Sequence, residues 1–379
     1  MKIVYCLNNI RKLGGVERVT VVKANAIAEI PGNEVWVVVR TDDKSQEYTE
    51  KPSPKVNVVD LGVDFFPDGF PHSKVSYVLK SIKERKEYGR KLSAFLHRVN
   101  PDVVVSVGHE EFYVLPKIKG SWKLVRELHL PANYRMQLCK GEGVFRHITA
   151  VYGTIKDKFY YPKYDSVVTL TEWDKRENWK SCRNVAVMPN PVSFKCLQSS
   201  PLTAKRIISI GRLTAQKQFH SLLRSFSLVH RRHPDWVLEI VGDGELRDSV
   251  KRQIAAMNLE GCVMMTGRTC EVDTRLLASS IFALSSEFEG FGLVILEAME
   301  CGVPVVSYDC RYGPSDIITD GEDGCLVPVD DELAFAEKIC SLVENEELRR
   351  EMGKKAKAKA KRYYPEVLAQ RWMQLFNDL

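Results

Sequence analysis

Short runs rich in valine and isoleucine recur along the chain, separated by longer stretches whose apolar residues repeat every three to four positions. In the first half the runs are Ile3–Leu7, Val35–Arg40, Val56–Asp60, Val103–Val107, Leu124–Leu128, Ser166–Thr169 and Val185–Met188. In the second half they are Arg206–Ile210, Trp236–Val241, Val263–Thr266, Phe282–Leu284 and Val303–Ser307. Continuously apolar strands that alternate with helices predict parallel sheets covered on both faces. The pattern pauses once. Met188-Pro189-Asn190-Pro191-Val192 closes a run with two prolines, a polar stretch follows to Leu202, and strand periodicity resumes at Lys205. The expectation is an α/β chain of two doubly wound, Rossmann-like parallel-sheet domains, residues 1–192 and 193–364. After the break at Pro365, residues 365–379 read as an amphipathic helix that the second sheet does not need, so it is expected to lean back on the first domain. Ligands of doubly wound folds bind beyond the carboxyl ends of the strands, and two such domains facing each other would enclose a central cleft.

With 379 residues the chain is too long for one ordinary core and comfortable for two. Hydrophobic residues at 44% and charged residues at 27% are ordinary for a globular protein. No apolar run approaches the length of a transmembrane helix. The opening Met1–Leu7 is too short for a signal-peptide core and lacks a small-residue cleavage site, so a cytoplasmic location is expected. The ten cysteines are scattered without the two-residue spacing of zinc or redox sites, and they read as small core residues.

The net charge of +6 is unevenly spread. Residues 1–190 hold 31 Lys and Arg against 22 Asp and Glu, a net +9, whereas the remainder holds 24 against 27, a net −3. Residues 80–98 concentrate Lys80, Lys83, Arg85, Lys86, Arg90, Lys91 and Arg98. Two readings fit this segment: a solvated helix face paired at i,i+4 with Glu84 and Glu87, or a surface that meets anionic lipid. On the second reading, the apolar stretch Phe65-Phe66-Pro67-Asp68-Gly69-Phe70-Pro71 would dip into a bilayer beside it. The cations are not interleaved with stacking aromatics, so a nucleic-acid partner is not expected.

Three motifs carry chemistry. Gly14-Gly15-Val16-Glu17-Arg18 follows the first strand and opens a helix, where glycines admit close backbone approach and free N–H groups attract phosphate. It is not the G-x-G-x-x-G fingerprint, which disfavours a dinucleotide cofactor. Gly211-Arg212-Leu213-Thr214-Ala215-Gln216-Lys217 follows another strand and places two cations at its end, where they would stabilise the charge growing on a departing diphosphate. The third is the most specific. From Ser286 through Glu289, Gly290, Phe291, Gly292, Leu293 and Glu297 to Gly302-Val303-Pro304, a strand feeds a glycine-rich loop and then a short helix. That helix offers its N–H groups and positive dipole end to phosphate. Carboxylates suit sugar hydroxyls because each oxygen accepts from an O–H.

This block resembles the E-x7-E signature of retaining glycosyltransferases with the GT-B fold, the large family that includes sucrose synthases and many bacterial surface-polysaccharide enzymes. The resemblance implies that Glu289 contacts the donor sugar and Glu297 the ribose. It implies that the backbone of Gly290, Phe291, Gly292 and Leu293 holds sugar and diphosphate, and that Arg212 and Lys217 clamp the diphosphate. Gly267-Arg268 resembles the segment that reads the base, Gly14 and Gly15 the N-terminal glycine loop, and His129, within Val125-Arg126-Glu127-Leu128-His129-Leu130-Pro131, a histidine facing the sugar. Arg311-Tyr312-Gly313-Pro314-Ser315-Asp316-Ile317-Ile318 is similar to a segment of enzymes extending lipid-linked or surface glycans, with Asp316 where glutamate is usual.

The resemblance implies a UDP-sugar donor carrying a hexose or N-acetylhexosamine, retention by front-face attack, and a glycan or polyprenyl-diphosphate-linked acceptor. Neither a cofactor nor a metal is expected, because no Asp-x-Asp triplet occurs to bridge donor phosphates through a cation. The net +9 of the first half adds the expectation of peripheral attachment to the inner face of the cell membrane. Competing readings are a GT-B-type sugar-nucleotide epimerase, a phosphorylase with a pyridoxal-bearing lysine, and a nucleotide-sugar-binding scaffold without turnover.

Overall fold

The computed structural model describes residues 1–11, 14–45, 47–48, 50–64, 74–139, 143–180 and 182–379, with backbone alone for 74–79, 138 and 145. The stretch Phe65–Pro71 lies outside the described residues. The chain divides into two compact units, Met1–Pro191 together with Pro365–Leu379, and Val192–Tyr364.

The first unit runs β1 (Lys2–Leu7), α1 (Gly15–Ala28), β2 (Glu34–Val39), β3 (Val56–Asp60), α2 (Lys74–Val99), β4 (Val103–Ser106), α3 (Glu110–Val114), β5 (Lys123–Glu127), α4 (Tyr134–Leu138), α5 (Val144–Tyr160), β6 (Ser166–Thr169), α6 (Glu172–Asn178) and β7 (Val185–Val187). Its seven strands lie in the order β3-β2-β1-β4-β5-β6-β7, every pair parallel. Side chains alternate across a strand, and β1 sends Ile3, Tyr5 and Leu7 to one face and Val4 and Cys6 to the other. The first face is covered by Val21, Ala24 and Ile27 of α1, and the second by Tyr88, Leu92, Phe95 and Leu96 of α2 with Phe112 of α3. Because both faces are covered, the strands are apolar throughout instead of alternating.

The second unit runs β8 (Arg206–Ile210), α7 (Phe219–Arg232), β9 (Val237–Val241), α8 (Arg247–Ala256), β10 (Val263–Gly267), α9 (Val272–Leu277), β11 (Ile281–Leu284), α10 (Leu293–Glu300), β12 (Val305–Tyr308), α11 (Pro314–Ile317), β13 (Gly324–Val327), α12 (Glu332–Glu344) and α13 (Glu346–Ala360). The strand order is β10-β9-β8-β11-β12-β13, again all parallel. Leu222, Leu223 and Phe226 of α7, Val250 and Ile254 of α8, and Phe335 and Ile339 of α12 build its main core. The last helix, α14 (Pro365–Asn377), belongs to the first unit, where Trp372 and Phe376 join the cluster against α1. Among the described residues, no helix is long and apolar enough to cross a membrane.

In each sheet the strand order reverses at one point, β1/β4 in the first and β8/β11 in the second, and the loops leaving those strands open a crevice there. The helices at these points start after glycines, unlike three helices elsewhere that are capped by side chains. Thr171 caps α6, Asp331 caps α12 and Asn345 caps α13, each side chain accepting from a backbone N–H of the first turn. Gly14 before α1 and Gly292 before α10 have no side chain to do so. The first-turn N–H groups of those two helices are therefore free of a side-chain cap.

Candidate active site

In the second unit the loops after β8 and β11 are stitched together. Gln216 donates its side-chain amide to Phe288 O at 2.7 Å, and Glu287 N donates to Gln216 O at 2.8 Å. The Ser285 hydroxyl donates to Lys217 O at 2.9 Å. This frame aims Lys217 at the carboxylate of Glu289, with Nζ 2.6 Å from Oε1 and both side chains largely shielded from solvent. The Ser286 hydroxyl donates to the same oxygen at 2.7 Å. The Glu289 backbone is fixed from the next loop, its N–H donating to Arg311 O at 2.7 Å and its carbonyl accepting from Tyr312 N at 3.1 Å.

The glycines of this region have a steric reason to be glycines. Gly292 sits at φ +92°, left-handed backbone that starts α10. Gly313 sits at φ +111°, where a Cβ would come within 2.0 Å of Phe291 O, so the loop after β12 can lie flat against the loop after β11 only without a side chain. Phe291 itself is buried and packs on Tyr363, ring centroids 6.2 Å apart. Glu297 lies one turn inside α10 and is buried. The far end of α10 is anchored by Glu300, whose Oε1 accepts from Cys196 N at 2.9 Å and from the Tyr364 hydroxyl at 3.2 Å.

The structure thus brings Lys217, Glu289, Gly290, Phe291, Gly292 and Leu293 together at the carboxyl edge of the sheet. Arg212 follows β8 on the same edge, exposed and without a side-chain ion pair among the described residues. Gly267 ends β10 at φ +74°, its carbonyl accepting from Gly242 N at 2.8 Å, and Arg268 beside it is exposed.

Gly14, Gly15 and His129 lie in the first unit. A cavity of about 330 Å³ opens at its β1/β4 point, lined by Asn8 after β1, Glu17 at the start of α1, His109, Arg126, His129 and Tyr134 among others. Arg126 Nη1 is tied down by Ser106 Oγ at 2.9 Å and by the carbonyls of Ser106 and Gly108. His129 Nε2 stands 3.3 Å from Glu127 Oε1, close enough to feel its charge but not aligned as a hydrogen bond. Glu127 is buried and paired with Lys23. Burial pushes its carboxyl upward, but the charges of Lys23 and His129 outweigh burial and hold it down at about 2.

Sequence reasoning missed Glu111. It is fully buried, neither carboxylate oxygen has a hydrogen-bond partner among the described residues, and burial lifts its pKa to about 7 despite nearby Arg126. It sits beneath Gly108 in the cavity wall, where a Cβ would fall 2.8 Å from Oε1. That glycine three residues upstream was the only signal. Ser286, which orients Glu289, was likewise passed over.

Two doubly wound parallel sheets of this kind make a GT-B fold, and solved structures share it. S. aureus TarM, crystallised with fondaparinux, alpha-GlcNAc-glycerol and UDP, superposes with a TM-score of 0.77 over 99% of both chains at 17% identity. Anabaena HepE with UDP and glucose does so with 0.74 over the whole of both chains at 18% identity. Residues 198–359 match the family described as glycosyl transferases group 1. An uncharacterized glycosyltransferase of Haemophilus influenzae is 27% identical over 98% of both chains. An exopolysaccharide phosphotransferase of Streptomyces coelicolor is 34% identical over 58% of this chain, which spans 24% of that protein's length. N-acetylgalactosamine-N,N'-diacetylbacillosaminyl-diphospho-undecaprenol 4-alpha-N-acetylgalactosaminyltransferase of Campylobacter jejuni is 33% identical over 54% of this chain, which spans 57% of it.

Proposed function

We propose that the chain is a retaining glycosyltransferase that moves a hexose or N-acetylhexosamine from a UDP-sugar to a glycan or polyprenyl-diphosphate-linked acceptor in surface-glycan synthesis. The observation that carries this reading is the Lys217–Glu289 pair at the head of an uncapped, glycine-started helix. The free N–H groups of α10 suit a diphosphate, and the ammonium beside them suits the charge that grows on it as the glycosidic bond breaks. Glu289, held by two backbone hydrogen bonds and Ser286, is positioned to accept from sugar hydroxyls. Arg212 supplies a second cation, and with these two the reading needs no metal ion.

UDP as the nucleotide is supported by the UDP-bound crystal structures of TarM and HepE. A lipid-diphosphate acceptor is supported by the Campylobacter relative's name and by the first unit's cavity, where Arg126 stands among apolar Leu128, Leu130 and Pro131. With such an acceptor the protein works from the cytoplasmic side, attached peripherally to the inner face of the membrane.

The test is a panel of UDP- and GDP-sugars scored for hydrolysis and thermal stabilisation. One UDP-sugar at a hundred times its Kd should stabilise the fold by about 2.7 kcal/mol, and the product anomer should keep the donor's configuration. No stabilisation or turnover with any donor, or an inverted product, overturns the proposal. Glu297→Ala should raise the donor KM more than it lowers kcat, because a ribose contact is alike in ground and transition states. A fall confined to kcat contradicts the ribose role.

A further inference from the structure

Helix α5 turns an apolar side to solvent. Val144, Ile148, Val151, Tyr152, Ile155 and Phe159 are between 37% and 78% exposed, and they are six of the twelve exposed large apolar side chains among the described residues. Scattered singly, such residues need no explanation, but here half of them share one helix. Their spacing lays them on a single arc about 100° wide. The side facing the unit is the polar one: Ala150 and Asp157 are buried, and Asp157 accepts from the Tyr113 hydroxyl and from Arg135 Nε at 3.2 Å.

Lysines border the stripe, Lys158 along one edge and Lys156, its Nζ 3.8 Å from the Tyr113 ring centroid, along the other. Past the helix end, Lys163 Nζ stands 4.5 Å from the Phe159 ring centroid and 4.4 Å from that of Tyr160. Asp157 is the sole acidic residue of α5, so the exposed half of the helix carries no negative charge.

A line of contacts joins this helix to basic α2. Arg85 Nε pairs with Glu110 Oε2 at 2.7 Å at the start of α3. His109 beside it lies 3.4 Å from Arg135 Nη2, and Arg135 holds Asp157 of α5. On α2, Lys83, Lys86 and Arg90 remain exposed. Tyr134, next to Arg135 on α4, lines the cavity, so the stripe, the cations and the cavity wall adjoin.

We propose that the exposed face of α5 docks on an anionic lipid bilayer, its apolar stripe sinking to the headgroup–acyl boundary while the flanking cations sit among the phosphates. The inference rests on the peripheral attachment in the proposed function and names the element that performs it. A second copy of the chain fits less well, since a symmetric contact across α5 would set like charges along both borders.

The test is co-sedimentation of the full chain with phosphatidylcholine vesicles, with and without phosphatidylglycerol. Ile148→Ser combined with Ile155→Ser and Phe159→Ser should lower the partition coefficient on anionic vesicles at least about 100-fold, since each buried methylene adds to the attachment. These side chains are exposed, so thermal unfolding and donor hydrolysis should stay unchanged. Lys83→Glu with Lys86→Glu and Arg90→Glu should weaken attachment in a salt-dependent manner. Wild-type protein left in the supernatant with anionic vesicles at low salt overturns both the inference and the peripheral reading. Release by the charge reversals but not by the serine variant overturns α5 alone and leaves peripheral attachment standing. A serine variant that turns a dimer into a monomer and still sediments overturns the inference in favour of a second copy.

Discussion

Lys217→Ala should lower kcat by about 10²–10³-fold at saturating donor, the scale set by removing one fixed partner of transition-state charge. The ammonium is 17% exposed and meets one carboxylate, that of Glu289, so its three-donor head keeps capacity for a second anion. Glu289 loses its partner in this variant, but the carboxylate keeps Ser286, and its backbone keeps Arg311 and Tyr312. A mutant cycle separates the two effects. If Lys217 acts on the departing diphosphate, removing it in a Glu289→Ala background still costs at least about tenfold. Equal rates for Glu289→Ala and the double variant mean that the lysine only positions the glutamate. A Lys217→Ala rate near wild type removes the clamp from the mechanism.

The strands were legible because both faces of each sheet are covered, so burial wrote itself into consecutive positions instead of alternate ones. β13 escaped notice: Gly324–Val327 is four residues long at the sheet edge, too short for periodicity to speak. The run predicted from Val303 begins in the structure at Val305, because Pro304 cannot extend the ladder. The donor-side constellation was legible where it is local, in the loop and helix from Glu289 to Glu297. The meeting of Lys217 with Glu289, 72 residues apart, needed the register of β8 beside β11. Burial of charge was not legible at all. Lys23 is spaced like a surface lysine of an amphipathic helix, and Glu111 like the acidic first turn of α3. The basic run on α2 does use the pairing expected of a solvated face, Lys91 with Glu87 at 3.3 Å, and Arg85 reaches a different element. In α5 the 3.6-residue period is plain, but periodicity cannot say which side faces in. Only the contact of Asp157 with Tyr113 and Arg135 settles that the apolar side faces out.

Glu127→Ala should destabilise the protein by about 3–5 kcal/mol, the usual cost of leaving one partner of a buried ion pair without the other, and lower Tm on the order of 10 °C. Lys23 Nζ lies under α1 with Glu127 as its ion-pair partner, 4.3 Å from the Trp372 ring of α14 and 5.0 Å from that of Tyr5. Burial pushes the Lys23 pKa down, against the pull of Glu127. Removing the carboxylate strands the ammonium among aromatic rings at the point where α1, β5 and α14 meet. Lys23→Met with Glu127→Leu should recover most of the loss, because no uncompensated charge remains. The pH dependence carries the same signature. Glu127 titrates at about 2 in the fold against an ordinary 4.5, so its contribution is present above pH 4.5 and is lost as pH falls from there toward 2. Wild type should therefore lose stability across that window faster than the double variant, which has no Glu127 carboxylate left to protonate. Equal acid slopes for the two, or a Glu127→Ala protein as stable as wild type, would mean that Lys23 finds its charge balance elsewhere.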